Sequence, residues 1–114
     1  MKVAISIEVG NDLRALVCPS FGRAPRFVVH DSETGGMTVL ENTAASGAHG
    51  AGTGAASLMA QHGVEAVISG RFGPNAYQAL KTAGIRMFVS VSDANAGAAL
   101  GRLQAGSLKE ASLA

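Results

Sequence analysis

Short apolar runs alternate with helical segments in the second half of the chain, and this alternation constrains the fold most strongly. Apolar runs of strand length span 64–69 and 85–91. The segment between them has the apolar spacing of a helix, opens at Pro74 and ends at Gly84. Because strands joined through a helix run parallel with a right-handed crossover, this half predicts a parallel sheet.

Two further helices are predicted on either side of this unit. One has about ten residues and ends near His62, where Gly63 is a typical C-terminal stop. The other follows Asp93, whose side chain can cap it, and closes at Gly106.

The first half reads as three strands. An apolar run spans 3–7, and 27–31 and 37–41 form a hairpin around the turn-forming residues 32–36. The order is therefore β-β-β-α-β-α-β-α, an α/β fold with a mixed five-stranded sheet and helices on its faces. We expect residues 1–106 to form a single domain, which carries the binding site, and 107–114 to form a C-terminal tail.

Composition narrows the function classes. A chain of 114 residues suits one core, and its net charge of +1 does not favour a nucleic-acid binder. No apolar run reaches the roughly 18 residues of a membrane span, so we expect no membrane partner and a cytoplasmic location.

Loops at the carboxyl ends of the predicted parallel strands favour binding of an anion. Arg23 and Arg71 lie in two of these loops, and an arginine fork suits anions. Glycines precede two helices, so main-chain N–H groups near Gly50, Gly52 and Gly73 can donate to a negatively charged ligand. Such a pocket suits a compact anion larger than phosphate.

Other residues of these loops have two interpretations each. Cys18 is either a thiolate ligand with a pKa lowered by arginines or a buried apolar filler, and His49 is either a metal contact or an exposed loop histidine. Ser20 can donate a hydrogen bond or stabilise a turn. Phe21 and Phe72 can shield a ligand from water or anchor the loops by packing.

The sequence lacks several motifs that are typical of enzymes. The glycines at 47–54 lack the lysine of a P-loop, and no cluster of acids suits a two-magnesium nuclease. No G-x-S-x-G or CxxC motif is present. We therefore expect no catalysis.

The segment from Phe21 to Phe27, followed by Asp31, resembles the F-G-R-A-P-x-F…D signature of the dinitrogenase iron–molybdenum cofactor family. Further matches extend the resemblance over about residues 1–106; they include Asn42, His49, Gly50, Gly52, Gly70 and Gly73.

The resemblance implies a ribonuclease H-like sheet and non-catalytic binding, carriage or assembly of an anionic metal–sulfur cluster. The chain looks like the small members of the orange protein type. The implied cluster is a molybdenum–copper sulfide or an iron–molybdenum cofactor precursor, and transfer to a protein partner is implied as well. Ser20 stands where many members have histidine, which shifts the expected contacts towards Cys18, His49 and non-covalent anion binding by Arg23, Arg71 and main-chain amides. A regulatory or scaffold module that binds a protein, or a nuclease-like enzyme, stays an alternative.

Overall fold

A mixed sheet with helices on both faces makes up the computed structural model, which describes residues 1–43, 51–90 and 94–111. Within these ranges there are six strands and three helices. In chain order they are β1 (Lys2–Ile7), β2 (Arg26–Asp31), β3 (Met37–Glu41), α1 (Ala51–Gln61), β4 (Ala66–Ser69), α2 (Pro74–Thr82), β5 (Arg86–Val89), α3 (Ala96–Gln104) and β6 (Lys109–Glu110). None of these helices is long and apolar enough to cross a membrane.

The strands lie in the order β3-β2-β1-β4-β5-β6. β1 pairs antiparallel with β2 and parallel with β4, placing Val3 opposite both His30 and Ala66. β4 and β5 are also parallel, so the crossover through α2 connects parallel strands. The predicted mixed α/β architecture is confirmed.

Alternate residues of the central strands fill two cores. On one face, Phe27 and Val67 pack with Met59 of α1 and Leu80 of α2. On the other face, Ile5, Ile68 and Phe88 pack with Leu100 of α3 and with the loop after β1. Since both faces of the central strands are covered, these strands are apolar on both sides, which explains their unbroken apolar runs.

The prediction of five strands is wrong. β6 lies in the segment predicted as a tail and pairs antiparallel with β5. Arg86 Nη2 contacts Glu110 Oε1 at 3.0 Å, and the hydrogen bonds from Arg86 lower the pKa of the Glu110 carboxyl. The strand has only two residues, both exposed, so it leaves no apolar pattern in the sequence.

The cap of α3 also differs from the prediction. Asn95, not Asp93, occupies the N-cap, and its side-chain oxygen accepts from the Ala98 N–H at 2.7 Å. Asp93 itself lies outside the described residues. The helix begins two residues later than expected because the backbone of Ala94 and Ala96 bonds to the loop after β1.

Candidate anion-binding site at the carboxyl edge of the sheet

Three parallel strands end side by side at Ile7, Ser69 and Val89. The loop 8–25 follows β1, the loop 70–73 follows β4, and residues after 89 follow β5. Ligands of open α/β sheets bind beyond these carboxyl ends. We call this part of the surface the carboxyl edge.

Two loops with predicted site residues are bonded to each other at this edge. The Gly70 N–H donates to the Cys18 carbonyl at 3.1 Å, and the Phe21 N–H donates to the Arg71 carbonyl at 3.1 Å. A Cβ on Gly70 would come within 2.6 Å of Pro19 Cα and O. The glycine at position 70 therefore permits backbone contact between loops, a role different from the predicted contact with a ligand.

A buried hydroxyl pair beneath the loops was not predicted from the sequence. The hydroxyl of Ser6 at the end of β1 lies 2.8 Å from that of Ser69, and both lie within hydrogen-bonding distance of the Cys18 carbonyl, at 3.2 and 3.3 Å. Both serines are completely buried. The signal that could have revealed them is a polar residue inside each of two apolar strands, since buried hydroxyls need partners.

The first turns of α1 and α2 meet at the carboxyl edge. A Cβ on Gly52 would lie 2.9 Å from Ala76 Cβ and 3.3 Å from Ala76 N. Gly73 caps α2 without a side-chain hydrogen bond, and Pro74 follows at its first turn. α2 thus begins without a side-chain cap, beside the first turn of α1, and the positive ends of the two helix dipoles lie close together.

The N-terminus of α3 differs in this respect. Its Ala96 and Gly97 N–H groups donate to the carbonyls of Ala15 and Leu13, each at 2.8 Å, and Ala98 donates to the cap. The donors of this helix end are used to hold the loop after β1. Of α2 and α3, only α2 begins without a side-chain hydrogen bond to its first turn.

The two predicted arginines lie at this edge and are exposed. Arg71 makes no ion pair among the residues that the structure describes. Arg26 instead pairs with Glu41 at 3.2 Å and donates to the Gly10 carbonyl at 3.0 Å, so it holds the start of the loop. Glu8 is exposed nearby and offsets part of the positive charge.

Phe21 and Asn42 support the loops and have almost no surface for a ligand. Phe21 is fully buried, with ring centroids 5.3 Å from both Phe27 and Phe72. Asn42 Nδ2 donates to the Ala24 carbonyl at 2.8 Å and to the Gly22 carbonyl at 3.3 Å. Phe72 is half-buried, so of the two predicted aromatic shields it alone has exposed surface.

Cys18 lies in the core beneath the edge. Burial raises the pKa of its thiol, the Ser20 main-chain N–H opposes this shift, and Glu8 adds to it. This direction is opposite to the one predicted from nearby arginines. A neutral buried thiol is a poor metal ligand until it is exposed and deprotonated.

His49 and Gly50 lie outside the described residues. Over the ranges that are described, no three side chains of the types His, Cys, Asp and Glu come together as a metal site would require. The donors at the carboxyl edge are guanidinium groups and main-chain amides, which hold an anion through its outer atoms. The chemistry of these groups is that of a candidate site for a compact anion on an α/β fold.

This chain belongs to the dinitrogenase iron–molybdenum cofactor family, whose model matches residues 1–106. The predicted family is thus confirmed. An uncharacterised protein of Methanocaldococcus jannaschii is 38% identical over 91 residues, which cover 77% of this chain and 73% of the relative.

Two solved structures share the fold and about a third of the sequence. The apo form of the orange protein from Desulfovibrio gigas is 35% identical, with a TM-score of 0.92 over 97% of this chain and 92% of that one. A putative NifB protein from Thermotoga is also 35% identical, with a TM-score of 0.83 over 96% and 91% of the two chains. Family and neighbours support a role in iron–molybdenum-cofactor-related or metal-cluster binding.

Proposed function

We propose that this protein binds an anionic metal–sulfur cluster as cargo at the carboxyl edge and carries it without catalysis. The observation that carries the proposal is the approach of Gly52 to Ala76, which brings two positive helix ends together at the same edge of the sheet as the exposed Arg23 and Arg71. Main-chain N–H groups and arginines stabilise negative charge on sulfide without a metal–protein bond.

The size of the site supports a cluster over a single phosphate. Its proposed donors belong to two helices and two loops, which is more than a single phosphate at one helix N-terminus would use. A ligand held by its outer sulfides is also easily released, as carriage requires. Family membership supports the same class of cargo.

Finer features of the function are part of this proposal. The cargo is a molybdenum–copper sulfide or an iron–molybdenum cofactor precursor, and it passes to a protein partner in the cytoplasm. The strand order β3-β2-β1-β4-β5 supports describing the core of the sheet as ribonuclease H-like.

The test is a titration of the apoprotein with tetrathiomolybdate, with and without copper, followed by visible absorption. We expect a saturable new spectrum that stays with the protein on a desalting column. Retained colour only with copper favours the molybdenum–copper cluster. No retained colour under either condition contradicts binding of that cluster.

Arginine variants locate the cargo. Arg71→Ala should weaken uptake, whereas Arg102→Ala should not, because Arg102 lies in the last turn of α3, away from the carboxyl edge. The two variants remove the same charge from exposed positions, so they are matched. Equal uptake by both would remove Arg71 from the site.

Two more variants test direct ligation to metal. If the cluster is held by its sulfides alone, Cys18→Ala and His49→Ala both keep the spectrum of the wild type. A shifted absorption maximum in either variant would indicate a bond from that side chain to metal.

A second candidate function is a scaffold or regulatory module that binds a protein. The observation in its favour is exposed apolar surface in the loop after β1, where Val9 is 80% and Leu16 54% exposed. Val9→Ser with Leu16→Ser separates the two functions, because it should leave thiomolybdate uptake unchanged and weaken only association with a protein.

A further inference from the structure

A cavity lies on the α3 side of the sheet, away from the carboxyl edge. Its volume is about 420 Å³, within the range of small-molecule sites. Its walls are mainly apolar: Val3, Ala66, Phe88, Leu100, Leu103 and Leu108.

The cavity is at the opposite end of the strands from the proposed cluster site. Val3, Ala66 and Arg86 pair in one row near the amino ends of β1, β4 and β5, and all three line it. The last turn of α3 and the segment leading to β6 cover it. A ligand here would not touch Arg71 or Gly73.

The cavity is long enough for an alkyl chain. Its lining runs across the sheet from His30 on β2 to Phe88 on β5, which is three strand spacings or about 14 Å. This length and the apolar walls together suit an extended chain of methylene groups.

The two ends of the cavity differ in polarity. At the β5 end, Arg86 is bonded to Glu110 at 3.0 Å and its charge is balanced. At the β2 end, His30 Nδ1 is buried and has no hydrogen-bond partner among the described residues, while Ser32 Oγ accepts from the Met1 nitrogen at 2.8 Å. A buried nitrogen without a partner is unfavourable, so a rotation of the imidazole about Cβ–Cγ that brings Nδ1 to a partner in the cavity is favoured.

We propose that this cavity binds a medium-chain fatty acid, with its alkyl chain along the apolar walls and its carboxylate at His30. Imidazole, hydroxyl and amino groups at that end can all donate, and a carboxylate only accepts. At the other end Arg86 is already paired with Glu110, so the donors at the β2 end fix the orientation of the ligand. On binding, the His30 ring turns Nδ1 towards the carboxylate.

The test uses octanoate as the probe and ¹H–¹⁵N NMR of the full chain as the readout. We expect saturable shifts of the amide signals of Val3, Ala66 and Phe88 without shifts at 70–73, and a change in the His30 ring nitrogen signals. Octan-1-ol has the same chain without the charge and should bind about tenfold more weakly, a difference of about 1.4 kcal/mol.

Three variants complete the test. Leu103→Trp fills the cavity and should abolish the shifts. His30→Phe should weaken octanoate binding about tenfold but leave octan-1-ol binding unchanged, and His62→Phe, a matched change at an exposed histidine, should alter neither. Folding of each variant is checked by its thermal midpoint. Absence of saturable shifts, unchanged binding by Leu103→Trp, or equal binding of acid and alcohol would overturn the proposal.

Discussion

Gly70 lies so close to Pro19 that it has no room for a side chain. A Cβ built on Gly70 would come 2.6 Å from both the Cα and the carbonyl oxygen of Pro19, and 2.9 Å from its carbonyl carbon. All three are backbone atoms, so rotation of a side chain cannot relieve the contact. The loop 18–24 keeps its position on the end of β4 only while residue 70 is glycine.

Gly70→Ala is therefore expected to lower the free energy of unfolding by about 1–3 kcal/mol, as overpacked sites do. It should also weaken thiomolybdate uptake, because Arg71 moves with the loop. Urea denaturation measures the first effect and the desalting assay the second. The control is Gly101→Ala, because a Cβ on Gly101 meets nothing within 4 Å. Alanine is more favourable than glycine inside a helix, so this variant should gain up to about 1 kcal/mol in unfolding free energy. A Gly70→Ala protein as stable as the wild type would contradict the close backbone contact between Gly70 and Pro19.

The approach of Gly52 to Ala76 gives a second prediction. Gly52→Ala should separate the first turns of α1 and α2 and weaken thiomolybdate binding about tenfold, or about 1.4 kcal/mol. Adding Ala76→Gly removes the nearest opposing atom, the Ala76 Cβ at 2.9 Å, and should recover part of the affinity. Binding titrations of the two single variants and the double variant measure this coupling. If the double variant loses the sum of both single effects, the two helix ends do not act together on the ligand.

The buried hydroxyl pair gives a third prediction. Ser69→Ala leaves the Ser6 hydroxyl and the Cys18 carbonyl with fewer partners, so the free energy of unfolding should fall by about 1–3 kcal/mol. Because the two hydroxyls contact each other, Ser6→Ala with Ser69→Ala should cost less than the sum of the single changes. Ser107→Ala is the control, since its hydroxyl is exposed and the expected change is within about 0.5 kcal/mol. Additive losses in urea denaturation would show that the serines act independently.

The order of the main elements could be predicted because each has a local signal. β1, β4 and β5 are visible as unbroken apolar runs, because both faces of these strands are buried. The helix ends are visible as Gly63, Gly84 and Gly106, and all three have the positive φ angles that end helices. β6 could not be predicted, because its pairing depends on Arg86 and Met87 of a strand distant in sequence. The position of Asn95 as cap depends likewise on the loop that holds α3.

The candidate site also has a part that could be predicted from the sequence and a part that could not. The arginines and the glycines before helices could be named as candidates, because guanidinium and main-chain N–H groups can bind an anion in any fold. The direction in which a loop side chain points is set by tertiary contacts, so sequence could not show that Phe21 and Asn42 face inwards. Ser6 was missed because one hydroxyl in an apolar strand gives no sign of its partner, Ser69, 63 residues away.

Cys18 gives the last prediction, which concerns pH. Burial raises the pKa of its thiol above the ordinary value of 9.0, so above that pH the unfolded chain loses a proton that the folded protein keeps. The unfolded state then binds fewer protons, and the contribution of Cys18 to stability is full below about pH 9 and falls as the pH rises through the folded pKa. The difference in unfolding free energy between wild type and Cys18→Ala should therefore shrink from about pH 8 to about pH 10. Urea denaturation of both proteins across this range measures it. Lysine and tyrosine titrate equally in both proteins, so their effect cancels in the difference. A difference that stays constant with pH would mean that the thiol is not held neutral by burial.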